Sequence, residues 1–271
     1  MGIYLFQIIN GIGLGMIYFL VAVGLSITLG LLGFVNFAHG MFYLLGAYLT
    51  FQIVSWGGSF WAAAVAAPLV VAVLAFTLER AILVRTYKLP HKYQIVATLG
   101  IVLIAQEAVV MLWGPLGNGV SVPDSLAGVV SLVAAVLAIA LWLLLERTTF
   151  GALVRAGSES SEMVKLLGVD VRTLTSLTFA LGGMIAAVAG VLIAPIRGAD
   201  PSMSGEALGI AFVVVIIGGM GSFTGSIVAG ILVGVVQSVM STLWSEGAQL
   251  MVYVVMTLVL IAAPRGILGR A

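Results

Sequence analysis

Gly30-Leu31-Leu32-Gly33-Phe34-Val35-Asn36-Phe37-Ala38-His39-Gly40 separates two strongly apolar runs with an asparagine, a histidine and three glycines. Within a lipid bilayer, loose backbone and polar side chains are tolerated only where protein or a water-filled cavity surrounds them. Polar groups at membrane depth therefore mark candidate permeation paths. Two roles fit Asn36 and His39. They hold a broken backbone at a turn, or they line a passage beside a gate, and a gate itself requires a held break.

Outward from this break, apolar runs recur along the whole chain: 9–31, 41–55, 60–79, 95–113, 128–146, 173–195, 207–219, 224–242 and 248–263. About 20 apolar residues span the hydrocarbon core, so several of these runs are short and read as tilted pieces or half-helices. Of the 271 residues, 62% are hydrophobic and 8% charged, against about 25% charged in a soluble domain. The expected fold is an all-α polytopic transmembrane bundle forming a single domain over 1–271. It has about eight or nine membrane segments, some broken or re-entrant. The weak ten-residue alternation of an outer-membrane barrel is missing from the sequence. A net charge of +1 gives no reason to expect nucleic-acid binding, and without cysteine there is no disulfide or thiol chemistry. Met1 to Phe6 carries no basic signal-peptide region, so the first run is expected to remain as a membrane helix.

Ten of the eleven Lys and Arg residues fall in Arg80–Lys92, Arg147–Arg172 and Arg265–Arg270, leaving only Arg197 elsewhere. The positive-inside rule puts those three zones in the cytoplasm, with the N-terminus outside and the C-terminus inside. Parity then requires 207–242 to dip in, break near Gly218-Gly219-Met220-Gly221-Ser222 and return. Both glycine-rich breaks are followed by an apolar run and a Trp-containing turn, Trp56–Ser59 and Trp244–Gly247. This layout suggests a degenerate internal repeat that pairs the first break with the second.

Gly218, Ser222, Ser226, Gly230, Gly234, Ser238 and Thr242 recur every four residues, a row that lets helix backbones approach closely. Gly218 to Gly225 is too rich in glycine for a well-formed helix and reads as a functional break. Gly11, Gly13 and Gly15 sit in a membrane run and read as packing. The one sizeable hydrophilic insertion is Arg147 to Arg172. Within it, Ser158 to Gly168 reads as a short helix, with Met163, Leu166 and Leu167 on one apolar face. So short a helix must dock its apolar face on something: its own protein, the lipid surface or a partner subunit. Glu107 lies inside a span and either snorkels or pairs, or lines a cavity. His91 reads as solvated. There is no G-x-x-x-x-G-K-[ST] motif, no catalytic constellation and no metal-ligand cluster, so no ATPase site of its own is expected.

The motif Asn36-Phe37-Ala38-His39-Gly40 resembles that of the branched-chain amino acid ABC permeases of LivH type. So do Arg155-Ala156, Leu166-Leu167-Gly168-Val169, Gly218 to Ser222 and the tail Pro264 to Arg270, in the same order over nearly the whole chain. The resemblance implies an inner-membrane permease subunit of an ATP-driven importer working by alternating access. Its partners would be a second permease subunit (hetero- or homodimer), two ATP-binding subunits that hydrolyse ATP, and a periplasmic or extracellular solute-binding protein. No cofactor is expected on this chain itself. Residues expected at the path or gate are Asn36, Phe37, His39, Gly40, Gly218, Gly219, Gly221, Ser222 and Gly225. The ATPase-coupling segment 147–172 would act through Arg155, Glu159, Met163, Leu166, Leu167 and Gly168. One departure stands out: Met41 occupies a position where many family members carry Glu. Urea, amides or aromatic acids are alternative solutes, and an autonomous channel or secondary transporter is the alternative of another class.

Overall fold

The computed structural model describes residues 2–120, 126–219 and 221–268. Met220, Gly269 and Arg270, parts of the motifs named above, lie outside the described residues. The protein is all-α. Each of the nine apolar runs folds as a helix: α1 Gly2–Leu32, α2 His39–Ser55, α3 Phe60–Ala81, α4 His91–Trp113, α5 Leu126–Arg147, and then, after the short pair α6 Thr149–Glu159 and α7 Ser161–Leu166, α8 Val171–Arg197, α9 Met203–Gly218, α10 Phe223–Leu243 and α11 Ala248–Ala262. Six helices are long and apolar enough to cross a membrane, and the α5–α6 pair, bent by 69°, brings the number to as many as seven. With 17 residues in α2 and 16 in α9, these two rise only about 24–26 Å, less than the roughly 30 Å hydrocarbon core. Helix α11 has only 15 residues, but a 3-10 turn at Ser245–Gly247 lengthens it to an 18-residue span, so α2 and α9 stand as the half-helices.

Helices α1 and α8 form the centre. Gly24 of α1 lies against the Gly182 carbonyl of α8, with no room for a Cβ between them. Along its N-terminal half α1 packs on α10, where Gly11 and Gly15 meet Gly234 and Gly230 backbone to backbone. The four-residue row on α10 therefore serves one neighbour over these two turns. Ser238 extends the seam by donating to the Gln7 carbonyl at 2.8 Å.

The internal repeat is real, but its register differs from the sequence expectation. Two long helices, α1 and α8, each end at a left-handed glycine, Gly33 (φ 71°) and Gly198 (φ 77°). A short irregular segment follows each. In the first, the Ala38 amide donates to Asn36 Oδ1 at 3.1 Å and the His39 amide to the Asn36 carbonyl at 3.2 Å. In the second, the Ser202 amide donates to Asp200 Oδ1 at 2.8 Å and the Met203 amide to the Asp200 carbonyl at 3.1 Å. The half-helices α2 and α9 begin there. Each is followed by a left-handed glycine, Gly57 or Gly219. A serine N-cap then starts the next helix, Ser59 for α3 and Ser222 for α10. Packing follows the same relation: α1 against α10 as α8 against α3, and α2 against α8 as α9 against α1. The two units are inverted. Leu31, at the end of α1, and Leu174, at the start of α8, both face Gly157, whereas Tyr18 and Arg197 share a cavity toward the other side. The counterpart of the Asn36 break is thus Asp200, not Gly218. Inversion hides this from the sequence, because matched positions face opposite membrane sides and carry different residues.

Candidate functional site

At Gly33 the chain leaves α1 and runs as irregular backbone to Ala38, so Asn36 precedes a helix rather than sharing a face with His39 on one. Phe37 donates its amide to Thr98 Oγ1 at 3.3 Å and sets its ring 6.3 Å from that of Phe212. Asn36 and His39 are completely buried. His39 Nε2 lies 3.0 Å from the Val21 carbonyl. A carbonyl only accepts, so this nitrogen carries the proton, and Nδ1 is left without a partner. Gly40 touches the Ser204 backbone, where a Cβ would overlap the Ser204 carbonyl oxygen. The N-terminal ends of α2 and α9 therefore meet within the bundle. Asn36 Nδ2, His39 Nδ1 and Ser204 Oγ, all buried and unpartnered, belong to this junction. Such buried polar groups are usually satisfied by ordered water or another ligand. On the far side of the junction, Arg197 pairs with Glu206 at 3.3 Å beside a small cavity lined by Tyr18, Tyr43 and Met203.

The second break lies at the opposite end of α9. Gly219 and Gly221 adopt φ 92° and 79°, which only glycine takes without strain. Gly218 and Gly225 press together as the chain reverses, and Ser222 Oγ accepts from the Gly225 amide at 3.0 Å. The tail closes over this turn: the Ile267 amide donates to the Ile217 carbonyl at 2.8 Å. A cleft of about 100 Å³ lies between the last turns of α1, the second break and the α5–α6 turn. Gly30 and Ser26 from α1 line it together with Gly221, Ser226, Glu146 and Arg155.

Arg155 is exposed and pairs with Glu146 at 3.4 Å, while its guanidinium donates to the Leu145 carbonyl. It thereby braces the sharp turn between α5 and α6. Glu159 ends α6, so the short helix does not start at Ser158 as the sequence suggested. Ser160 is its N-cap, its hydroxyl accepting from the Met163 amide at 3.2 Å, and the helix runs Ser161–Leu166. The reason is that Ser158 Oγ bonds back to the Arg155 carbonyl at 2.7 Å and stays within α6. Gly168, with φ 82°, ends the turn that follows. Val164 anchors α7 to its own protein, packing with Val154 and Leu174. Met163, Leu166 and Leu167 are left 60%, 82% and 72% exposed.

Glu79 is a functional candidate that sequence reasoning passed over. It is fully buried, and its carboxylate accepts from the Tyr87 hydroxyl at 2.7 Å and the Ser176 hydroxyl at 2.5 Å. Tyr87 in turn packs against Phe34 of the first break. In the sequence Glu79 stands beside Arg80 at the end of an apolar run, where nothing marks it as buried. Glu107 is exposed, and His91, also exposed, bonds Gln94 at 3.1 Å. Among the described residues no cluster of His, Asp or Glu could hold a metal ion.

The helical bundle with paired half-helices is that of a polytopic membrane transporter component. The chain belongs to the family described as branched-chain amino acid transport system / permease component, whose pattern matches residues 7–264. It is 28% identical to the high-affinity branched-chain amino acid transport system permease protein LivH of Escherichia coli, over 98% of this chain and 96% of that protein. To BraD of Pseudomonas aeruginosa, a permease protein of the same description, it is 29% identical over the same shares. It is also 28% identical to the E. coli permease LivM, over 94% of this chain and 68% of LivM. A solved structure described as PsaBC from Streptococcus pneumoniae in complex with Fab shares the fold, with a TM-score of 0.58 at 11% identity over 94% of this chain and 91% of that one.

Proposed function

We propose that this chain is the membrane-spanning permease subunit of an ATP-driven importer that moves branched-chain or related amino acids inward by alternating access. The observation that carries the reading is the α7 surface. Met163, Leu166 and Leu167 stand exposed on a short helix anchored beneath the bundle by Val164. Apolar side chains in such a position need a partner protein to bury them. An ATP-binding subunit docked there can transmit its movement through α6 to the cleft where Gly30, Arg155 and Gly221 meet. The assembly holds a second permease subunit, two ATP-binding subunits that carry the nucleotide, and a solute-binding protein on the outer side. The N-terminus lies outside and the C-terminus in the cytoplasm.

Branched-chain amino acids are preferred as solutes because the family and the near full-length relatives carry that description. The Leu166→Asp/Leu167→Asp double variant tests the docking. It is expected to insert in the membrane and to lose co-purification with the ATP-binding subunits. Normal co-purification of that variant contradicts the reading.

A further inference from the structure

Helix α4 buries Gln94, Thr98, Val102 and Val109 on one side. Its opposite stripe is formed by Val96, Gly100, Leu103, Ile104, Glu107 and Met111, which helical spacing places on one face. Val96, Leu103, Ile104 and Met111 are 56–77% exposed. Glu107, toward the C-terminal end of the stripe, is exposed and forms no ion pair or hydrogen bond within the described residues. It lies six residues before Trp113, the last residue of α4, hence about 9 Å inside that end. Glutamate has too short a stem to snorkel as Lys and Arg do. Among the described residues it is the one exposed charged side chain on a spanning helix that lies outside the first and last turns. Among the described residues the outward faces of α3 and α11 expose no charged group at comparable positions: Val73 and Leu258 stand there beside Thr77 and Thr257, whose hydroxyls donate to the Val73 and Tyr253 carbonyls of their own helices. Lipid suits those faces and does not suit a carboxylate. At Gly100, an added Cβ would meet nothing within 4 Å, so the stripe carries a notch open to a neighbour.

We propose that this α4 stripe is the surface on which a second, different permease chain docks, with Glu107 receiving a hydrogen-bond donor or a cation from it. The proposal rests on the reading that this chain is one of two permease subunits. A second copy of this chain is the poorer occupant. A twofold contact sets the same patch against itself, so a copy offers Glu107 only the apolar groups and the carboxylate of its own stripe, with no donor or cation among them. Similarity of this chain to both LivH and LivM of E. coli shows that two distinct chains of related sequence occur in one organism. A different chain can supply the complementary group that a copy lacks.

The test uses the complete transporter in native membranes, purified through a tag on this chain. A benzophenone amino acid is placed at Ile104 or Met111 on α4, with Val73 and Leu258 as control positions. The expected result is an adduct from both α4 positions, mapped by mass spectrometry to a membrane helix of a different permease chain, with lipid adducts alone from the controls. Lipid-only adducts at Ile104 and Met111, or adducts to a second copy of this chain, overturn the proposal. In parallel, Glu107→Lys should lower the recovered second permease at least about tenfold while this chain still inserts, and Glu107→Gln, which can still accept a hydrogen bond, should lower it less. Unchanged recovery with Glu107→Lys also overturns it. If the wild-type protein brings down no second permease chain, the two-permease reading falls as well. A recovered partner that never crosslinks to α4 leaves that reading standing and removes only this surface.

Discussion

Gly40 and Ser204 show how closely single residues control this fold. A Cβ at Gly40 would occupy the space of the Ser204 carbonyl, and neither backbone can yield without moving a helix start. Gly40→Val is therefore expected to destabilise the bundle by about 3 kcal/mol, at the upper end of overpacking costs, read as a lower melting temperature in detergent. His39→Ala removes the donor to the Val21 carbonyl. We expect reduced transport with assembly preserved; unchanged uptake would show that the bond has only a capping role. Glu79→Ala leaves the half-buried Tyr87 hydroxyl without its acceptor, while Ser176 still reaches the Arg172 carbonyl at 3.0 Å, at a cost of about 1–3 kcal/mol. Glu79→Gln keeps an acceptor and should lose less, which thermal unfolding of the two variants can compare. Asn36 and His39 were legible in the sequence because polar groups stand out in an apolar run. Ser204 and Glu79 were not. A serine beside glycines carries no signal, and the burial of Glu79 depends on Ser176 of α8, which is 97 positions away.

Among the elements, the nine apolar runs matched helices closely because burial in lipid leaves the backbone few other ways to satisfy itself. The glycine seam between α1 and α10 was legible as a four-residue rhythm, and its partner glycines on α1 were legible as packing. Gly234→Leu is expected to force these helices apart and reduce the yield of folded protein, which size-exclusion chromatography in detergent would record. The repeat was misregistered because glycine-rich breaks look alike in one dimension. Only the matched Asx turns at Asn36 and Asp200 identify the true pair. The cytoplasmic helix was placed correctly in outline but begins at Ser161, after a separate α6. A local hydrogen bond from Ser158 to the preceding turn decided that boundary.

For the whole molecule, two inverted units place the starts of α2 and α9 against each other within the bundle, while the inner cleft joins Gly30, Gly221 and the α5–α6 turn. Transport is proposed to need ATP-binding subunits acting on this chain. The most direct measurement is uptake of labelled leucine into proteoliposomes that hold this chain together with its second permease, ATP-binding subunits and solute-binding protein. The account predicts accumulation that requires ATP and every subunit, and that disappears with Leu166→Asp/Leu167→Asp. Uptake by liposomes holding this chain alone, without ATP, would contradict it.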